Sequence, residues 1–199
     1  MNARLIAATI AIAIAAFGCS EQRAPSGRGA DCTCAGEPVV DAALLAFLSK
    51  ARAAHHQADL AETAGDLPRA LGALEALIAG PRPTARGALP PEAAEVLADT
   101  HARVADLRSK SGAFAAARRD VEQGLTLAAR PTHFRGHLFE ILGVVHEREA
   151  QALEAKGDLP RAAEAKSRAL DAFETAIKIQ DQVIDDALSG GTIDKRDGG

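Results

Sequence analysis

Apolar residues recur three or four positions apart along most of the chain, which is the spacing of one face of an α-helix. The pattern predicts amphipathic helices over about 38–64, 67–79, 92–110, 114–128, 133–156 and 161–188. Between the second and third helices, the Gly- and Pro-rich stretch 80–91 cannot be helical and is predicted to be an ordered or semi-rigid loop. The sequence therefore predicts an all-α fold.

The turns between paired helices repeat along the sequence. Residues 65–70 (GDLPRA) recur at 157–162, and a degenerate copy lies at 111–117. Each turn joins two amphipathic helices, and such a hairpin must stack on a neighbour to bury its apolar face. The sequence therefore predicts three stacked helical hairpins over 38–189, followed by a disordered tail over 190–199.

These hairpins resemble tetratricopeptide repeats. That family has Gly-Asp between its paired helices and a small residue five positions after the Gly, and Ala70, Ala117 and Ala162 match this position. A second small residue, seven positions further on, is matched by Gly124 and Ala169. The resemblance implies a tetratricopeptide-like α-solenoid that binds other proteins. The repeat is about a dozen residues longer than the family's, so long helical hairpins in a bundle are the alternative.

The first 18 residues are typical of a signal peptide. The apolar run 5–17 is shorter than the ~20 residues that a membrane-spanning helix needs, and the small residues Ala16 and Gly18 lie three and one positions before Cys19, where signal peptidases require them. The run resembles a bacterial lipobox, which implies that Cys19 carries a diacylglycerol and an N-linked acyl chain such as palmitate. The alternative is plain secretion after cleavage at the same bond. Ser20 implies sorting to the outer membrane, facing the periplasm.

Residues 19–37 are predicted to be a lipid-anchored flexible tether, because Ser, Gly, Pro and charged residues replace bulky apolar ones. Lipidation of Cys19 leaves Cys32 and Cys34 as an even pair. Outside the cytoplasm these two can form a disulfide within a small ring, a crosslink to a partner, or a redox or soft-metal site.

Composition and charge exclude several function classes. The formal net charge of −4 provides no basic field for nucleic acid. No phosphate-binding loop, nucleophile elbow or zinc-protease motif occurs in the sequence. We therefore expect no catalytic residues, no cofactor and no small-molecule substrate.

The resemblance to tetratricopeptide repeats also implies where a partner binds. In that family the first helix of each pair lines the binding groove. The corresponding positions here carry six acids and two bases, which favours a basic or helical protein segment as the partner. These positions are Arg52, His55, Asp59, Glu62, Asp99, Asp106, Lys110, Glu147, Gln151 and Glu154.

The sequence thus indicates a non-enzymatic envelope lipoprotein that acts as a protein-interaction scaffold, by analogy with lipoproteins that help to assemble envelope complexes. An alternative is a metal- or redox-handling envelope protein that uses Cys32 and Cys34, or His133 and His137 together with Glu140. A third interpretation is a homo-oligomer whose subunits associate through the long sixth helix.

Overall fold

A computed structural model describes residues 41–190, which form six α-helices and no strand. The all-α prediction is confirmed for this part of the chain. The helices are α1 (Ala42–Thr63), α2 (Leu67–Ile78), α3 (Pro91–Lys110), α4 (Phe114–Leu127), α5 (His133–Glu154) and α6 (Leu159–Gly190).

The helix ends lie close to their predicted positions because local side chains determine them. Asp41 caps α1 by accepting hydrogen bonds from the backbone N–H groups of Ala43 and Leu44, at 2.8 and 3.2 Å. The predicted start at Pro38 and residues 1–37 lie outside the described residues. At the other end, α6 continues to Gly190, and the rest of the predicted tail lies outside the described residues.

The three predicted turn glycines adopt the same backbone conformation. Gly65, Gly112 and Gly157 have φ angles of 76°, 79° and 78°, in the left-handed region that favours glycine. The residue after each glycine donates its backbone N–H to the carbonyl of the residue five positions before itself, as in the Schellman motif that ends many helices. The three bonds are Asp66 to Ala61 (2.8 Å), Ala113 to Arg108 (2.9 Å) and Asp158 to Leu153 (3.0 Å). The internal repeat is therefore a structural repeat.

Helices that are neighbours in sequence pack as hairpins: α1 with α2, α3 with α4, and α5 with α6. The first helices also contact one another, α1 with α3 and α3 with α5. In addition, α3 packs on α2, and α5 packs on α4. Each new hairpin therefore lays its first helix against both helices of the hairpin before it, and the core lies between them. The largest fully buried side chains include Leu74, Leu97, Leu107 and Leu138.

The last hairpin is close-packed through small residues. A stripe of buried alanines lines α6, at Ala162, Ala165, Ala169, Ala172 and Ala176. On α5, a Cβ atom at Gly143 would lie 2.6 Å from the Phe173 ring, so the ring rests directly on the α5 backbone. Because the chain has six Phe and neither Trp nor Tyr, such close approaches replace large side chains in filling the core.

The loop between the first two hairpins contains a tight turn. Arg86 and Gly87 have φ angles of 53° and 81°, which is typical of a type I′ turn. Their neighbours Ala85 and Ala88 exchange backbone hydrogen bonds of 2.8 and 3.0 Å. Pro83, two residues before this turn, is buried.

Candidate functional site

The ten residues of the predicted binding groove lie on α1, α3 and α5, the three helices that contact one another in order. We call their shared side the first-helix face. Six of the ten are exposed, and His55, Glu62, Asp99 and Asp106 are half-buried. The exposed six are Arg52, Asp59, Lys110, Glu147, Gln151 and Glu154.

An ion-pair network joins α1 to α3 on this face. The Arg103 guanidinium donates to Asp59 Oδ1 at 2.7 Å and to Glu62 Oε2 at 2.5 Å. The Lys110 ammonium lies 2.5 Å from Glu62 Oε1 and 2.8 Å from Asp106 Oδ2. These carboxylates therefore neutralise neighbouring cations within the protein.

The network continues from α3 to α5. The Arg148 guanidinium donates to Asp106 Oδ1 at 2.7 Å and to Ser109 Oγ at 2.5 Å. Burial alone would raise the pKa of Asp106, but the hydrogen bonds from Lys110 and Arg148 outweigh it, so this pKa lies below its ordinary value. Asp106 therefore remains ionised and holds two cations on the face.

Arg103 and Arg148 occupy equivalent positions in successive hairpins, nine residues before their turn glycines. Each binds side chains six and three residues before the preceding turn glycine: Asp59 and Glu62 in one case, Asp106 and Ser109 in the other. We call this repeated contact the arginine clamp. It fastens each first helix to the one before it.

The arginine clamp was missed by the sequence reasoning, and it changes the charge of the face. With Arg103 and Arg148 included, six acids face four bases. The signal was present in the sequence, because both arginines stand at the same distance before a turn glycine. Without the neighbouring helix, however, nothing indicated that they point across to it.

The remaining groove residues divide into contacts and exposed groups. The single hydroxyl proton of Thr100 is donated to the Val96 carbonyl at 2.7 Å, so His55 Nε2, at 3.1 Å, must donate to the Thr100 oxygen. Glu154 pairs with Lys166 at 2.5 Å. In contrast, Arg52, Glu147 and Gln151 project from the surface, and Gln151 lies 3.5 Å from Glu147.

The histidine cluster of α5 is not arranged as a metal site. The rings of His133 and His137 are stacked, with centroids 6.3 Å apart. His137 Nδ1 lies 3.1 Å from Glu140 Oε2, and its Nε2 lies 3.9 Å from Asp99 Oδ1. Within residues 41–190, no group of three or more His, Cys, Asp or Glu side chains is placed to hold a metal ion. Cys19, Cys32 and Cys34 lie outside the described residues.

Two further histidines are buried at equivalent positions, eleven residues before the turn glycines of the second and third hairpins. The Nδ1 atom of His101 makes no hydrogen bond within the described part of the chain, whereas His146 Nδ1 lies 3.4 Å from the Oε2 atom of Glu149. Burial lowers the pKa of both, helped by Arg82 and Arg108 near His101. Near His146, the Glu149 carboxylate opposes this shift, but the pKa still lies below its ordinary value.

No described helix of the chain is long and apolar enough to cross a membrane. Comparisons with protein-family models, with curated proteins and with solved structures find no match for the chain.

Proposed function

We propose that this chain is a lipid-anchored envelope scaffold whose helical domain binds another protein and performs no chemistry. In this proposal the three hairpins form a tetratricopeptide-like solenoid, Cys19 carries the lipid at the outer membrane, and residues 19–37 give the domain reach into the periplasm.

The proposal is supported by two features that recur along the chain, one within the hairpins and one between them. The same glycine turn ends all three first helices, and the same arginine clamp joins α1 to α3 and α3 to α5. Such stacking leaves a continuous side of first helices open to a partner, which is how solenoid repeats present their binding surfaces.

The clamp also indicates which residues of this face are available to a partner. Asp59, Glu62 and Asp106 are held by cations of the protein, whereas Arg52, Glu147 and Gln151 are exposed at the surface. Reversing the charge of a carboxylate that is paired with these cations would disturb helix packing as well as binding. Glu147 is therefore the better residue for a test by charge reversal.

The test is affinity capture from detergent-solubilised envelopes of the source bacterium, with partners identified by mass spectrometry. The full chain is compared with Cys19→Ser, with Glu147→Lys, and with Glu122→Lys, which makes the same charge change at an exposed position of α4. We expect one stoichiometric partner, whose recovery falls with Cys19→Ser and with Glu147→Lys but not with Glu122→Lys. Equal recovery by all four proteins would contradict both the anchor and the binding face.

A further inference from the structure

The outer side of α6 carries an apolar stripe. Leu170, Ile177 and Ile184 follow one another at seven-residue spacing, so they lie along one side of the helix. They are 64%, 61% and 55% exposed. Among the described helices, only α5 packs on α6, and it packs on the alanine side. We call these three residues the outer stripe.

The first two hairpins indicate what kind of element covers such a position. Leu170 is equivalent to Ile78 in α2 and to Leu125 in α4, thirteen residues after the respective turn glycines. Ile78 and Leu125 are partly buried in the core clusters, where α3 packs on α2 and α5 packs on α4. Within this chain, the outer side of a second helix is therefore covered by another helix.

A further hairpin stacked in the same register does not suit α6. Lys166 stands where the first two hairpins bury Leu74 and Val121, and its ammonium pairs with Glu154 at 2.5 Å. A charged pair at this position ends the stack, because burying it under a following hairpin would cost desolvation. The outer stripe begins at Leu170, one helical turn after Lys166. Its other members, Ile177 and Ile184, lie beyond the equivalent positions at which the shorter helices α2 and α4 end.

Acidic side chains border the outer stripe on both sides. A shallow groove beside Ile177 is lined by Gly136 and Phe173 and also by Glu140 of α5, whose carboxylate lies 3.1 Å from His137 Nδ1. Along α6 the stripe is followed by four exposed acids, with Lys178 as the nearby base, 3.9 Å from Glu174. The four acids are Asp171, Glu174, Asp181 and Asp185.

We propose that the outer stripe and its groove bind an amphipathic helix of another protein, with Lys or Arg residues flanking the apolar side of that helix. The apolar residues of such a helix bury Leu170, Ile177 and Ile184, and its cations meet the acids at both edges. A second copy of this chain is a poor occupant, because two outer stripes packed together would bring acid against acid.

A designed peptide tests this proposal directly. The probe is a synthetic amphipathic helix of about 18 residues, made of Leu and Lys with one Trp. A second peptide with Glu in place of Lys keeps the same apolar pattern. Because the chain has no Trp, the fluorescence of the peptide reports its binding to the full-length protein.

We expect the Leu/Lys peptide to bind and the Leu/Glu peptide to bind at least tenfold more weakly. Ile177→Ser should weaken the binding of the Leu/Lys peptide about tenfold, because it removes buried apolar area from the contact. The matched control is Leu60→Ser, which changes a residue that is 60% exposed on α1. This control should leave the affinity unchanged. A double variant, Glu174→Lys with Asp181→Lys, should bring the affinities of the two peptides close together, because it leaves three acids and three bases around the stripe.

Three results would overturn the proposal. The first is equal affinity for the two peptides, and the second is an equal loss of affinity in Ile177→Ser and Leu60→Ser. The third is self-association of the chain that Ile177→Ser abolishes, measured by sedimentation without peptide, since a second copy would then occupy the stripe. Circular dichroism of each variant checks that the helices are intact.

Discussion

Arg148 on α5 donates a 2.7 Å hydrogen bond to Asp106 on α3, and so joins two helices that are far apart in the sequence.

 The two residues themselves are 42 positions apart. Both side chains are largely buried by their neighbours, with Asp106 14% and Arg148 29% exposed. Removing one partner of such a pair leaves the other carboxylate or guanidinium poorly solvated, so the pair is more consequential than an exposed ion pair.

Arg148→Met should therefore lower the free energy of unfolding by about 1–3 kcal/mol, because Asp106 loses a charge-assisted hydrogen bond while it remains half-buried. The control is Arg161→Met, which removes an arginine that is 67% exposed and pairs with Asp158 at 3.3 Å. This control should change the stability by less than about 0.5 kcal/mol. Urea unfolding followed by circular dichroism measures both values. Equal losses in the two variants would show that the arginine clamp does not hold α3 to α5.

Gly143→Ala should destabilise the protein by about 1–3 kcal/mol, because the new methyl group would overlap the Phe173 ring and push α5 away from α6. Gly72→Ala is the matched control, since a Cβ atom there meets nothing within 4 Å and the residue is exposed within α2. The control should stabilise the protein by about 0.5–1 kcal/mol, the usual gain of Ala over Gly in a helix. Thermal unfolding of the two variants should shift the midpoint in opposite directions.

The helices and turns could be predicted from the sequence because short-range signals determine them. Asp66, Gly112 and Gly157 act on residues within one helical turn, and their caps form as expected. The arginine clamp and the contact of Gly143 with Phe173 could not be predicted in this way. Each depends on which faces of two distant helices meet, and an exposed arginine and a clamped arginine look alike in the sequence.

The charge of the first-helix face illustrates the same limit. Counting acids at the groove positions gave an acidic surface, but Arg103 and Arg148 reach those acids from the following helix. The position of the Asp59 and Asp106 carboxylates was recoverable from the sequence. The cations that neutralise them became recognisable only when the hairpins were stacked.

The two buried histidines predict that stability falls as the pH is lowered. The folded protein lowers the pKa of His101 and His146, so their contribution to stability is fully present above the ordinary value of 6.5 and is lost as the pH falls through the lower folded value. Urea unfolding between about pH 7.5 and about pH 5.5 should therefore show a decreasing midpoint. His101→Gln combined with His146→Gln should flatten this dependence, whatever its effect at pH 7.5. An unchanged slope would mean that other groups cause the loss.

The proposed lipidation at Cys19 predicts a change in both mass and solubility. The wild-type chain, expressed in a bacterial envelope, should lose residues 1–18, gain the mass of a diacylglycerol and an acyl chain, and enter the detergent phase on phase partition. Cys19→Ser should remain in the aqueous phase without added lipid, because it lacks the sulfur atom to which the diacylglycerol would be attached. Cys32→Ser, which replaces another cysteine of the same segment, should behave like the wild type. A wild-type protein cleaved before Cys19 but without added lipid mass would instead indicate plain secretion.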